Sequence, residues 1–115
     1  MPRQMNQIEL SVIIFQDEQQ VWCAQGLEYD ISAYADKLKD IPEKFALKVF
    51  SEVAVCLDLG RQPLDGIEAA PKEYWDMFSA ASMTVNQEVP PVRWTDSSVQ
   101  PRFVPKMKVG EKLAA

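Results

Sequence analysis

Ile8-Glu9-Leu10-Ser11-Val12-Ile13-Ile14-Phe15 starts as strict alternation of apolar and polar side chains and ends as an unbroken apolar run. A period of two puts Ile8, Leu10, Val12 and Ile14 on one face of a β-strand. Val, Ile and Phe suit a half-buried sheet. The next five residues, Gln16-Asp17-Glu18-Gln19-Gln20, are polar throughout and of hairpin length. Val21-Trp22-Cys23-Ala24-Gln25 reads as the returning strand, and Gly26 marks a bulge or the strand's end. Tyr29-Asp30-Ile31-Ser32-Ala33-Tyr34-Ala35 alternates again, which predicts a third strand with Tyr29, Ile31, Ala33 and Ala35 facing one way.

Further on, Asp40-Ile41-Pro42-Glu43 carries a helix-start signature. Asp40 suits an N-cap, Glu43 completes a capping box, and Pro42 sits in the first turn, where a missing N–H costs nothing. The spacing predicts a helix over 41–59. Phe45, Val49, Val53 and Cys56 form its apolar stripe, widened by Ala46, Phe50 and Leu57. From Val53 to Leu57 the helix is apolar nearly all round, so its C-terminal half is expected to be covered by something besides the sheet. That cover is either a later segment or a second copy. Gly60 is a suitable stop, and residues 61–66 have turn chemistry. A second helix is expected from Ala70-Pro71, with Tyr74, Trp75, Met77, Phe78 and Ala81 on its apolar side.

After about Val85 the periodicity fails. Pro90-Pro91, Pro101 and Pro105 break helices and lack donors for a central strand. Apolar side chains persist among them, notably Trp94 and Phe103, beside Arg93 and Arg102. The expected organisation is therefore α+β. A three-stranded antiparallel sheet packs on one main helix (β-β-β-α), followed by a second short helix. Residues 1–85 form this body, and 86–115 form a Pro-rich, extended, basic tail ordered by contact. The contact could be with its own body, a second copy or a foreign partner.

With 115 residues, 47% of them hydrophobic and 25% charged, the chain has room for one domain with a core of its own. No apolar run is long enough to span a membrane. The first residues, Met1-Pro2-Arg3-Gln4-Met5-Asn6, lead into no signal-peptide stretch. An intracellular, cytoplasmic location is expected. Cys23 and Cys56 each sit in an apolar stretch and read as small buried hydrophobes, not as a disulfide.

The chain contains no histidine. That excludes Ser-His and Cys-His nucleophile pairs, a histidine general base and the common zinc patterns. Four scattered glycines make no phosphate loop. The tightest acidic groups, Asp17-Glu18 and Glu28-Tyr29-Asp30, fall at a turn and a strand junction, where carboxylates are ordinarily just solvated. No cofactor, metal or catalytic residue is expected.

Charge is unevenly spread. Residues 1–88 hold 7 Lys/Arg against 15 Asp/Glu, and residues 89–115 hold 5 against 2. The acidic body repels nucleic-acid phosphates, so direct nucleic-acid binding is not expected. It favours a basic protein partner and speeds encounter with one. The candidate partner-binding residues are Asp17, Glu18, Glu28 and Asp30 on the body, Tyr74 and Trp75 on the second helix, and Arg93, Trp94 and Phe103 in the tail. Aromatic anchors dominate interface energetics. A homodimer stays open.

From Ile8 to about Leu59, the strand, polar hairpin, second strand, third strand and the helix start at Asp40-Ile41-Pro42-Glu43 resemble the HicB-like fold of toxin–antitoxin antitoxins. The resemblance implies a β-β-β-α domain that binds and blocks a small basic ribonuclease toxin, commonly as a dimer. The Gly-Asp-Thr-like turn often found before the helix is replaced by Tyr34-Ala35-Asp36. The four prolines of the tail forbid a following DNA-binding helix-turn-helix or ribbon-helix-helix segment. The function expected is therefore a non-enzymatic, inhibitory protein whose acidic body holds a basic partner such as a nuclease. The alternative is a phage or mobile-element inhibitor of anti-CRISPR type, blocking a nucleic-acid channel with acidic surface.

Overall fold

The computed structural model describes residues 7–85 and 102–110. Its elements are β1 (Gln7–Gln16), β2 (Trp22–Gly26), β3 (Ser32–Ala35), a 3-10 turn (Leu38–Asp40), α1 (Ile41–Asp58), α2 (Lys72–Ala80), β4 (Met83–Val85) and β5 (Arg102–Val109). The strands form one mixed five-stranded sheet in the order β3-β2-β1-β5-β4. The chain is α+β with two helices, as its pattern predicts, but the sheet has five strands rather than three.

The two extra strands follow α2. β5 runs parallel to β1, pairing Gln7 with Arg102 through Ile14 with Val109, and β4 pairs antiparallel with β5 at its far end. Of the three contacts left open for the tail, residues 102–109 make the first, with their own sheet. Pro105 is compatible with this position. β4 pairs only with residues 107–109, so no described strand asks for an N–H from Pro105 on that side.

The central place of β1 explains why its alternation gives way to a continuous apolar run. A strand with partners on both edges and layers on both faces needs apolar side chains at successive positions. Leu10, Val12 and Ile14 point into a first core with Ala24, Ile31, Ala33, Phe45, Val49, Val53 and Met107. Ile13 and Phe15 point the opposite way, into a second core with Cys23, Leu27 and Ala70, against which Tyr74, Met77 and Phe78 pack. The sheet thus lies between α1 on one face and α2 on the other. Each fully buried Val, Ile, Leu or Phe in these layers contributes about 1.5–3 kcal/mol relative to exposure.

The helix starts differently from expectation. The capping box at Asp40 and Glu43 does not form: Asp40 has helical φ and ψ of −89° and −10°, and its side chain caps nothing. The 3-10 turn at Leu38–Asp40 runs straight into α1, so Asp40 already lies within a helical turn. The other end follows the sequence signal. Gly60 has φ +73°; its N–H donates to the Leu57 carbonyl, and the Arg61 N–H donates to that of Cys56. This is a Schellman closure. Of the two covers left open for α1, a later segment or a second copy, the described chain supplies the first in part: the loop after α1 buries Leu64 completely and packs Ile67 against the same core. That cover is partial, because Val55 and Leu59 stay exposed.

The third strand is shorter than the expected 29–35. Gly26 donates to the Ile31 carbonyl at 2.8 Å, and Asp30 N–H donates to the Glu68 carbonyl at 2.7 Å, so residues 27–31 fold into a turn. Gly26 is required there. A Cβ would stand 2.7 Å from the Tyr29 carbonyl oxygen and 3.2 Å from the Phe45 ring.

Candidate interaction surface

The candidate residues fall into separate places. Asp17 organises the β1–β2 hairpin, its Oδ1 accepting from the N–H groups of Gln19 and Val21, both at 2.9 Å. This side-chain turn supports Gln20 at φ +65°. Glu18 stands exposed at the tip. Glu28 and Asp30 lie past the other end of β2, about 17 Å or more away at a strand rise of roughly 3.3 Å.

Glu28 completes a ladder. The Leu27 N–H donates to the Ser11 carbonyl, and the Ser11 N–H donates to Glu28 Oε1 at 2.6 Å. The carboxylate stands in for the next backbone carbonyl where β2 turns away. Asp30 satisfies the buried Gln25, whose amide donates to Asp30 Oδ1 at 2.7 Å and to the Gly26 carbonyl at 3.0 Å. Asp30 nevertheless remains solvent-exposed, leaving its charge available at the surface.

Tyr74 stacks on Phe15 with ring centroids 5.9 Å apart. Its phenol pKa is raised, first by burial and then by Glu73, Tyr34, Asp30 and Cys23. These groups therefore lie within electrostatic reach of one hydroxyl. Tyr34 pairs across the strands with Cys23 and is 60% exposed. The structure thus brings Asp30 and Tyr74 together and adds Tyr34 and Glu73. Cys23 beneath them is buried; burial, then the Asp17 charge, raises its thiol pKa.

Trp75 does not join this group. At 100° per residue Glu73 and Trp75 project from opposite flanks of α2, and the Trp75 indole donates to the Ala70 carbonyl at 3.1 Å. Near that helix's end Lys108 lies 4.4 Å from the Phe78 ring centre and donates to the Phe78 carbonyl. Part of the tail's positive charge thus fastens β5 to α2. Phe103 belongs to β5, while Arg93 and Trp94 lie outside the described residues.

Tyr34 also borders an open cleft of about 410 Å³, lined by Val21, Ala35, Asp36, Lys37, Asp40 and Lys44. Among the described residues, no three or more Cys, Asp or Glu side chains are grouped to hold a metal ion, and no helix is long and apolar enough to cross a membrane. Among the described residues, Asp30, Glu73 and the exposed Tyr34 combine charge with aromatic area around the half-buried Tyr74. Set against known proteins, the chain matches no protein-family model, no curated protein and no solved structure.

Proposed function

We propose that the chain is a non-enzymatic, inhibitory protein-binding protein of HicB-like kind, holding a basic protein such as a nuclease. The partner is held on the Asp30–Tyr34–Glu73–Tyr74 patch. The observation that carries this reading is that the exposed Asp30, Glu73 and Tyr34 surround the half-buried Tyr74, which stacks on Phe15, within electrostatic reach of its hydroxyl. Such a surface suits arginine: a carboxylate takes the guanidinium through charge-assisted hydrogen bonds, and a tyrosine face accepts its plane. The order β1-β2-β3-α1 over residues 7–58 is also what the HicB-like resemblance implies.

The reading is tested by capture from the source cell's extract on the immobilised full chain, followed by mass spectrometry. Wild type is expected to retain a small basic protein, and an Asp30→Asn/Glu73→Gln variant to lose it. Asp30→Asn keeps an acceptor for Gln25, so this loss would reflect charge and not folding. Retention of one protein equally by both forms would refute the patch. Capture of a large ribonucleoprotein would favour the channel-blocking alternative.

A further inference from the structure

α1 buries one side in the first core but carries a second apolar stripe facing away from the sheet. Leu47, Val55 and Leu59 are 55%, 56% and 62% exposed. Between them lie Ser51 and Ala54, both exposed and small. The centre of this face reads Lys44, Leu47, Ser51, Ala54, Asp58, spaced 3-4-3-4. That spacing is the seam of a helix pair packed near antiparallel or parallel, with a crossing of about 20°.

We propose that this face pairs antiparallel with α1 of a second copy, about a two-fold axis at Ser51. The charges decide both occupant and direction. Lys44 lies seven residues before Ser51 and Asp58 seven after, so an antiparallel pair sets Lys44 of each copy over Asp58 of the other. Leu47 and Val55, each four residues from Ser51, meet in the same way. A parallel pair would set Lys44 against Lys44 and Asp58 against Asp58. Neither residue forms an ion pair within the described chain, whereas the flanking Lys48 and Glu52 already pair with each other at 3.8 Å. The Ser51 hydroxyl donates to the Leu47 carbonyl at 3.0 Å, so it demands no partner, and its small size lets the two backbones approach.

This pairing uses the opposite face of the sheet from α2. A dimer through α1 therefore leaves Glu73 and Tyr74 of both copies uncovered, while the end of the seam at Lys44 borders the cleft that Tyr34 also lines. One helix per copy, about 27 Å long, gives an interface at the small end of the range, and such dimers are weak.

Sedimentation equilibrium of the full chain, from about 10 µM to 1 mM, suits that regime. Wild type is expected to pass from monomer to dimer. Lys44→Glu or Asp58→Lys alone is expected to raise the dissociation constant about tenfold, each replacing two attractions with two repulsions. The Lys44→Glu/Asp58→Lys double variant restores it to within about threefold. Leu47→Asp, at an exposed position, abolishes dimerisation while circular dichroism stays unchanged. A monomer throughout the range would overturn the proposal. So would a dimer indifferent to Leu47→Asp, or losses that add in the double variant instead of cancelling.

Discussion

Ending the chain at residue 101 removes β5 and tests whether the last strand belongs to the fold. β5 pairs with β1 over eight positions, Gln7 to Ile14, and contributes the buried Met107 to the first core. Emptying that site costs about 2–5 kcal/mol, as for a Met→Ala change in a core. The β1 backbone then loses its partners in a strand covered by α1 on one face and α2 on the other. Each N–H or C=O left dry costs about 1–3 kcal/mol. Three such groups together with the Met107 gap come to about 5–14 kcal/mol, the scale of a small domain's entire stability. A urea titration followed by far-ultraviolet circular dichroism is expected to show a cooperative transition for the full chain and none for the shortened one. A sharp transition in the shortened chain, within about 2 kcal/mol of the full chain, would show that the core closes without β5. It would make β5 an appendage of a fold complete without it.

Three further outcomes follow from single positions. Gly26→Ala forces a Cβ to 2.7 Å from the Tyr29 carbonyl, and urea unfolding is expected to show a loss of about 1–3 kcal/mol; no loss would mean the turn relaxes freely. Glu28→Ala leaves the part-buried Ser11 N–H without its acceptor, an expected cost of about 1.5–3 kcal/mol that Glu28→Gln largely recovers; equal losses for both would point to charge instead. The raised pKa values of Cys23 and Tyr74 mean that the folded state holds these protons more tightly than the unfolded chain. Their contribution is complete below the ordinary values of 9.0 and 10.0 and is lost as pH rises through the raised ones. Stability measured by urea titration across alkaline pH is expected to decline, and less steeply in Tyr74→Phe; identical slopes would mean that folding does not raise the Tyr74 pKa, and a steeper slope would reverse the sign.

The elements built from local signals were legible in the sequence. The β1 alternation, the polar hairpin, the 3.6-residue stripe of α1 and the Gly60 stop each depend on neighbours a few residues away. β5 was hidden because its partner lies about 95 residues earlier and its pairing is parallel, while Pro105 argues against a strand. The period-two run Lys106-Met107-Lys108-Val109 was the signal available. β4, with three residues, carries no readable period. The candidate surface was half legible. Asp30 and Tyr74 were singled out by residue type, but Tyr34 and Glu73 join them only because α2 crosses the sheet face that β3 extends. Asp17 and Glu28 looked like free acidic surface because sequence shows a carboxylate's charge and not the backbone N–H groups it faces.

Capture of a basic partner by the Asp30–Tyr34–Glu73–Tyr74 patch is tested by its association rate with the full chain as salt rises from about 50 to 500 mM, measured by stopped flow for wild type and Asp30→Asn/Glu73→Gln. Steering by the patch charges gives a steep fall for wild type and a slower, flatter dependence for the variant. Two superimposable curves would contradict it, since the partner would then be approaching a surface other than the Asp30–Tyr34–Glu73–Tyr74 patch.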